Sequence, residues 1–220
     1  MAAEGASPRR VAGELPVAAP GDVVTAGERP TVVSGGAAPA GADRDGTARL
    51  RERVVSRTSQ WQGNIFSVET LDVELSDGSH GYREVVRHHG GAAVCAVRDG
   101  RICLVRQYRV ALGCATLEIP AGKIEGDEDP AVCAARELGE ETGLVARELT
   151  LLARSNGSPG FTDEMTHIYL AHGLSRHEAH PDEGEFVDVA WMPLADALGE
   201  VRRGAITDAK TIIAILSVAG

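Results

Sequence analysis

The stretch GKIEGDEDPAVCAARELGEETGL, residues 122–144, contains start and stop signals for one short helix. Asp129 followed by Pro130 provides a favourable N-cap and first helical residue, and Gly143 suits the position just after the last helical residue. Small and apolar residues recur at helical spacing up to Leu138. We therefore predict an α-helix over residues 130–142 that buries one face in a core.

The other face of this helix is acidic. At about 100° per residue, Glu137 and Glu141 lie one above the other, with Glu140 and Arg136 beside them. A solvated acidic face with an Arg136–Glu140 ion pair is the plain interpretation. However, the helix dipole disfavours carboxylates near a C-terminus, and the preceding loop PAGKIEG brings backbone carbonyls close. Clustered hard oxygen ligands suit Mg²⁺ or Mn²⁺, so the pattern predicts a metal site.

Strand patterns surround the helix. The segment NIFSVETLDVELSDGSHGYREVVRH alternates apolar and polar residues on both sides of Asp77-Gly78, which indicates a β-hairpin. The runs GAAVCAV and RICLVRQYR are more continuously apolar and predict two central strands. Three apolar runs follow the helix, and two more helices, separated near Gly204, end the chain. This order predicts an α+β fold with an α/β/α sandwich.

Composition divides the chain and limits its partners. Residues 1–45 are rich in Ala, Gly, Pro and Val without an aromatic residue, so we expect a disordered tail. We assign residues 46–87 to N-terminal strands and residues 88–220 to the main domain. The net charge of −10 argues against a nucleic-acid partner. Without a membrane span or a secretory signal, and without paired cysteine motifs, we expect a cytoplasmic protein.

The spacing of nine residues in and around the helix resembles the Nudix box at every specified position. They are Gly122, Glu128, Arg136, Glu137, Leu138, Glu140, Glu141, Gly143 and Leu144. Elsewhere, REVVRH, LVRQYR, LEIPAGKIE, SPGFTDE and DAKTII resemble the ADP-ribose pyrophosphatase branch of the Nudix hydrolases, as does Pro159 after the box. The resemblance covers about residues 50–220. It implies a Nudix α/β/α sandwich with a mixed sheet, preceded by an N-terminal antiparallel β subdomain.

The resemblance implies metal-dependent hydrolysis of the pyrophosphate bond of ADP-ribose or a related nucleoside diphosphate sugar, giving AMP and ribose 5-phosphate. One alternative is another nucleoside diphosphate substrate, such as a different nucleotide sugar, NADH or an oxidised nucleotide. A second is a regulator that binds ADP-ribose without cleaving it. The intact box, and the absence of a helix-turn-helix pattern in residues 1–45, favour the enzyme.

Individual roles in metal binding also follow from the resemblance. Glu137 and Glu141 correspond to metal ligands, and the backbone carbonyl of Ala121 completes the shell. Glu140 shares in this shell or supports it, and Arg136 orients the carboxylates. The metal implied is Mg²⁺, with Mn²⁺ also possible.

The base and the substrate contacts lie outside the box. The acidic loop HPDEGEFVDVAW matches the branch's pattern for a general base, with Glu183 favoured and Glu185 as an auxiliary metal contact or the second candidate. A solvated turn without a catalytic role is the alternative for this loop. Arg109 fits a clamp for the diphosphate, and Arg83 has a similar role in relatives. Glu164 matches the position that contacts the hydroxyls of the terminal ribose. A surface ion pair is the alternative for each of these three side chains.

Two further glutamates flank the loop PAGKIEG. Glu118 lies in the strand before it and is predicted to brace the loop. Glu128 lies after it and is predicted to hold the loop or a neighbouring shell of the metal site; solvation in the loop, with helix-dipole pairing near the N-terminus, is the alternative. Neither is assigned to the substrate.

Relatives in this branch place their first strands against a second subunit, which implies a homodimer. Here these strands are about residues 61–87. Trp61 and Phe66 are large apolar residues at the start of this segment, and such residues are enriched at interfaces. An isolated hairpin would be marginally stable, so a partner subunit could bury both. Their use as ordinary core residues of a monomer is the alternative.

Overall fold

The computed structural model describes residues 31–33, 47–176 and 186–219. The strands are β1 (Thr31–Val33), β2 (Arg53–Gln62), β3 (Phe66–Glu74), β4 (His80–His88), β5 (Gly91–Arg98), β6 (Arg101–Arg109), β7 (Cys114–Glu118), β8 (Ala121–Lys123), β9 (Leu144–Asn156), β10 (Met165–Arg176) and β11 (Asp188–Pro193). The helices are α1 (Pro130–Thr142), α2 (Leu194–Arg202) and α3 (Ala209–Val218), with a short 3₁₀ helix at Thr47–Leu50. No helix in the described ranges is long and apolar enough to cross a membrane.

The strands form two sheets. The larger one is mixed and follows the order β1-β9-β10-β5-β6-β11, with β7 added to β6 and β8 added to β5. Strand β10 runs parallel to β5, whereas β9 and β10 are antiparallel. The smaller sheet, β2-β3-β4, is antiparallel and precedes the larger one in the chain. The predicted mixed sheet with an N-terminal antiparallel subdomain is therefore confirmed.

The central strand β5 divides the core into two layers. Alternate side chains of a strand point to opposite faces of its sheet. Ala92, Val94 and Ala96 pack in the cluster that contains the apolar face of α1. Ala93 and Cys95 pack in the second cluster, to which α2 and α3 contribute. This arrangement confirms the predicted α/β/α sandwich and fixes α1 on one face of the sheet.

Helix α1 begins and ends where its capping residues predict. The Asp129 side chain accepts a hydrogen bond from the Ala131 N–H at 2.8 Å, so it satisfies one of the backbone donors left unpaired at the helix start. Gly143 has a φ of 66°, in the left-handed region that glycine adopts without a side-chain clash. Its N–H donates to the Gly139 carbonyl at 2.9 Å. The acidic face predicted for residues 130–142 is thus in place.

Three short or exposed strands were not predicted. The segment PAGKIEG was predicted as a loop, but its residues Ala121–Lys123 form β8 and pair with β5. The exposed strand β2 precedes the predicted hairpin and pairs with β3. Within residues 1–45 the structure describes only Thr31–Val33, which pair in parallel with β9. These segments become strands through pairing with distant residues, which local periodicity does not report.

Candidate functional site

A cavity of about 560 Å³ lies where β5, β6 and β8 meet the ends of α1 and α3. Residues from the Nudix-box helix and from distant parts of the chain line it together. Among the residues predicted for the site, these are Arg109, Ala121, Arg136, Glu137, Glu141 and Glu164. Asp208 and Lys210, to which the sequence analysis gave no role, also line it. The fold therefore gathers most of the predicted side chains around one space.

Arg136 connects the carboxylates of α1 to one another. Its Nη1 donates to Glu137 Oε1 at 2.8 Å and to Glu140 Oε2 at 2.9 Å. Its Nε and Nη2 donate to the two carboxylate oxygens of Glu128, each at 3.2 Å. The hydrogen bond from Arg136 lowers the pKa of Glu128, and the same bond comes first among the causes that raise the pKa of Arg136. One cation thus offsets part of the repulsion among three carboxylates.

The missing side chain of Gly122 creates the space that Glu137 occupies. A Cβ atom at Gly122 would lie 1.8 Å from Glu137 Oε1, far inside van der Waals contact. Next to it, the buried Glu141 carboxylate accepts a hydrogen bond from the Ala121 N–H at 3.0 Å. Strand β8 and the acidic face of α1 are therefore in direct contact. A glycine is required at position 122 for this packing.

The donor atoms at this contact fit a hard divalent cation. Glu137, Glu141 and Ala121 line the same cavity, and Mg²⁺ is commonly held by one or two carboxylates while it keeps several waters. In the described part of the chain, no three His, Cys, Asp or Glu side chains gather as a ready cation site. Glu140 bonds to Arg136 and is not part of the cavity lining. The residues that suit a divalent cation here are therefore two carboxylates, Glu137 and Glu141, and the adjacent backbone of Ala121.

A second charged cluster centres on Glu118, whose side chain is only 3% exposed. It accepts hydrogen bonds from Arg109 Nε and Nη2, both at 2.7 Å, from Lys210 Nζ at 2.5 Å and from Thr116 Oγ1 at 2.6 Å. Burial by itself would raise the pKa of Glu118, but the bonds and charges of Arg109 and Lys210 outweigh it and lower the pKa to about 2. Glu118 was predicted to brace the loop after it, and its carboxylate holds two cations of the cavity lining, Arg109 and Lys210.

The other predicted residues differ in where the structure places them. Glu164 lines the cavity near β5. Arg83 lies on β4, where its Nε donates to Glu52 Oε2 at 3.0 Å, and it does not line this cavity. Glu183 and Glu185 lie outside the residues that the structure describes. The structure therefore brings Arg109 and Glu164 to the acidic helix and leaves Arg83 in the smaller sheet.

The fold, the box residues and their contacts define a known class of protein. The model of the NUDIX domain matches residues 87–214, so this chain belongs to the Nudix family. An ADP-ribose pyrophosphatase of Bacillus subtilis is 43% identical over 169 residues, which cover 76% of this chain and 91% of that protein. An ADP-ribose pyrophosphatase of Mycobacterium tuberculosis is 38% identical over 169 residues, covering 74% of this chain and 81% of that protein.

Two further proteins are similar to this chain. A methanol dehydrogenase activator of Bacillus methanolicus is 42% identical over 169 residues, which cover 76% of this chain and 91% of that protein. The crystal structure of an ADP compounds hydrolase superposes with a TM-score of 0.68 over 77% of this chain and 92% of that one. The identity there is 24%, so that structure supports the fold alone.

The Glu118 cluster predicts a specific dependence of stability on pH. A carboxyl group with a lowered folded-state pKa contributes stability above its unfolded-state pKa and loses it as the pH falls. Glu118 therefore loses its contribution to the free energy of unfolding as the pH falls from about 4.5 to about 2. We expect Glu118→Gln to lower the free energy of unfolding at neutral pH, and this difference from the wild type to shrink across that window.

Chemical denaturation across this pH range measures the effect. Asp196→Asn is the matched control, because it also converts a carboxylate to an amide but lies exposed on α2, away from the cavity. A difference for Glu118→Gln that stays constant with pH would show that the charge of Glu118 does not stabilise the folded protein.

Proposed function

We propose that this chain hydrolyses the pyrophosphate bond of ADP-ribose in a metal-dependent reaction that yields AMP and ribose 5-phosphate. The observation that carries the proposal is the single cavity lined by carboxylates of α1, Glu137 and Glu141, and by the guanidinium of Arg109. A diphosphate needs both a cation to offset its charge and fixed donors to orient it. The similarity to ADP-ribose pyrophosphatases from two bacteria supports ADP-ribose as the substrate.

The reaction adds water across one phosphorus–oxygen bond. A water oxygen forms a bond to one phosphorus as the bond from that phosphorus to the bridging oxygen breaks. The attacking water gives one proton to a base, and the bridging oxygen leaves with the other phosphate. AMP and ribose 5-phosphate together contain all atoms of ADP-ribose and water.

Glu137, Glu141 and the carbonyl of Ala121 would hold the Mg²⁺, for which Mn²⁺ could substitute, with Glu140 in support. When bound, the cation offsets phosphate charge and lowers the pKa of a bound water. Arg136 keeps Glu137 and Glu140 oriented through its hydrogen bonds to both carboxylates. The buried position of Glu141, fixed by the Ala121 N–H, serves the same orientation.

The base and the substrate contacts complete the proposal. Glu183 accepts the proton of the attacking water, with Glu185 as the second candidate. Arg109 binds the diphosphate, and its planar guanidinium suits phosphate oxygens. Glu164 accepts hydrogen bonds from the terminal ribose hydroxyls, in keeping with its place in the cavity lining. Arg83, which lies away from this cavity, contributes to the cavity of a second subunit.

The smaller sheet supports a homodimer. Every residue of β2 is exposed, and Trp61 and Phe66 are 50% and 38% exposed, with ring centroids 5.0 Å apart. Such exposure does not fit ordinary core residues of a monomer. We propose that a second copy covers this sheet, that one of the two rings stacks on the adenine, and that the enzyme works in the cytoplasm.

A substrate panel tests the proposed function. The purified protein is incubated with Mg²⁺ and ADP-ribose, GDP-mannose or NADH, and phosphate is measured after phosphatase treatment of the products. We expect the highest kcat/KM for ADP-ribose. A higher value for GDP-mannose or NADH would overturn the substrate assignment, and no cleavage of any compound would overturn the enzyme assignment.

Loss of one metal ligand should nearly abolish the reaction. We expect Glu141→Gln to lower kcat at least ~100-fold, because removing a metal ligand impairs activation of the water. The wild-type enzyme should also lose activity in chelator and regain it with Mg²⁺. Asp196→Asn serves as the control and should keep full activity. Wild-type turnover in chelator-treated buffer without added metal would contradict the metal assignment.

The two candidate bases can be separated by substitution. We expect Glu183→Gln to reduce kcat by ~10²–10⁴, the usual range for loss of a general base. Its melting temperature and Mg²⁺ binding should match those of the wild type. The same kcat loss in Glu185→Gln, with Glu183→Gln active, would assign the base to Glu185 instead.

Light scattering tests the dimer. We expect a mass near twice 23.1 kDa at micromolar concentration. Replacing Trp61 with Glu should shift the mass toward the monomer, since it puts a charge at the proposed interface. A fully active monomer of the wild-type protein would refute both the dimer and the shared cavity.

A further inference from the structure

Lys210 is a cation of the cavity lining that comes from the C-terminal helix. It is the second residue of α3, and its side chain is 15% exposed. Its Nζ donates to Glu118 Oε2 at 2.5 Å and to Asp208 Oδ1 at 2.8 Å. Arg109 bonds to the same carboxylate. Glu118 therefore holds two cations next to one another at the cavity, although Lys210 is 92 residues away in sequence.

A purely structural role for this cluster is the alternative, and the energetics argue against it. Removing charges from water costs more than a buried ion pair commonly returns, so apolar residues would join α3 to β7 at least as well. A guanidinium has five N–H groups and an ammonium has three. The bonds to Glu118 and Asp208 engage two on Arg109 and two on Lys210. Each cation therefore retains donor capacity for an anion in the cavity.

The position of Lys210 is fixed from two sides. Asp208 caps α3 by accepting from the Thr211 N–H at 3.0 Å and from Thr211 Oγ1 at 2.5 Å. Thr211 Oγ1 in turn accepts a hydrogen bond from the Ile119 N–H at 2.8 Å. Ile119 directly follows Glu118, the last residue of β7. The start of α3 is thereby tied to the end of β7. A cation held this firmly loses little further freedom when it binds a ligand.

We propose that Lys210 binds the substrate diphosphate beside Arg109, and that Glu118 is the positioning residue that holds both cations. This inference rests on the proposed function, since it concerns the diphosphate of the same substrate. The Glu118 side chain is too buried to contact the substrate itself. Its negative charge also offsets the repulsion between Arg109 and Lys210. Removing that charge should therefore weaken substrate binding, although Glu118 itself does not contact the substrate.

Steady-state kinetics with ADP-ribose test the proposal. We expect Lys210→Met to raise KM about tenfold or more, the scale of one charge-assisted hydrogen bond, with a smaller change in kcat. Lys210→Arg, which keeps the charge, should recover much of this loss. Glu118→Gln should raise KM similarly, and combining it with Lys210→Met should add little. Arg203→Met, which removes an exposed cation paired with Glu200, is the control and should not change KM.

Titration calorimetry with ADP in Mg²⁺ buffer separates this proposal from the proposed function. ADP carries the diphosphate without the terminal ribose. Tight ADP binding that weakens in Lys210→Met supports the cation pair even where ADP-ribose is not cleaved, in which case only the proposed reaction fails. Unchanged ADP affinity and KM in Lys210→Met would overturn the proposal, whether or not the variant melts earlier. Lys210→Gln replaces Lys210→Met in both assays if the latter does not fold.

Discussion

The hydrogen bonds of Arg136 hold the acidic face of α1 together. Without a cation, Glu137 and Glu141, four residues apart on one helix face, would repel each other, and the helix dipole would add to the cost. Arg136 reaches Glu137 and Glu140 on the helix and Glu128 in the preceding loop. It also donates to the Lys123 carbonyl at the end of β8. The same side chain therefore orders the loop, the helix and the strand edge.

The backbone makes room for this contact between α1 and β8. The close approach depends on Gly122, where a Cβ would overlap the Glu137 carboxylate, and on Gly91, where a Cβ would lie 2.9 Å from the Gly122 carbonyl. Strand β8 pairs with β5 through these two glycines and their neighbours. Pairing with β5 thus holds β8 at a fixed distance from the carboxylates of α1, which a flexible loop would not do.

The features of the fold and of the site that could be predicted from the sequence are those set by residues close together in the chain. Asp129 and Gly143 act on the backbone within a few residues, so the limits of α1 were predicted correctly. The clustering of Glu137 and Glu141 followed from helical periodicity alone. The pairing of Lys210 with Glu118 spans 92 residues and depends on the packing of α3, so no local pattern indicated it.

Long-range packing also explains where else the structure differs from the predictions made from the sequence. Strand β8 exists because β5 offers it backbone partners, and its short sequence resembles a loop. Arg83 was assigned to the substrate from resemblance, but within one chain it pairs with Glu52, which lies 31 residues earlier. Among the described residues Arg83 does not line the cavity, so its contact with the substrate stays a prediction. The general base falls outside the described residues, so Glu183 and Glu185 stay predictions.

The two charged clusters explain how a chain with a net charge of −10 could bind an anionic substrate. Salt screens exposed charges beyond about 8 Å at physiological ionic strength, so groups at the cavity outweigh the net charge. Around Arg136 one cation holds three carboxylates, whereas around Glu118 one carboxylate holds two cations. The cavity therefore has an acidic part suited to metal and a basic part suited to phosphate. A substrate that carries both a diphosphate and its metal complements both parts at once.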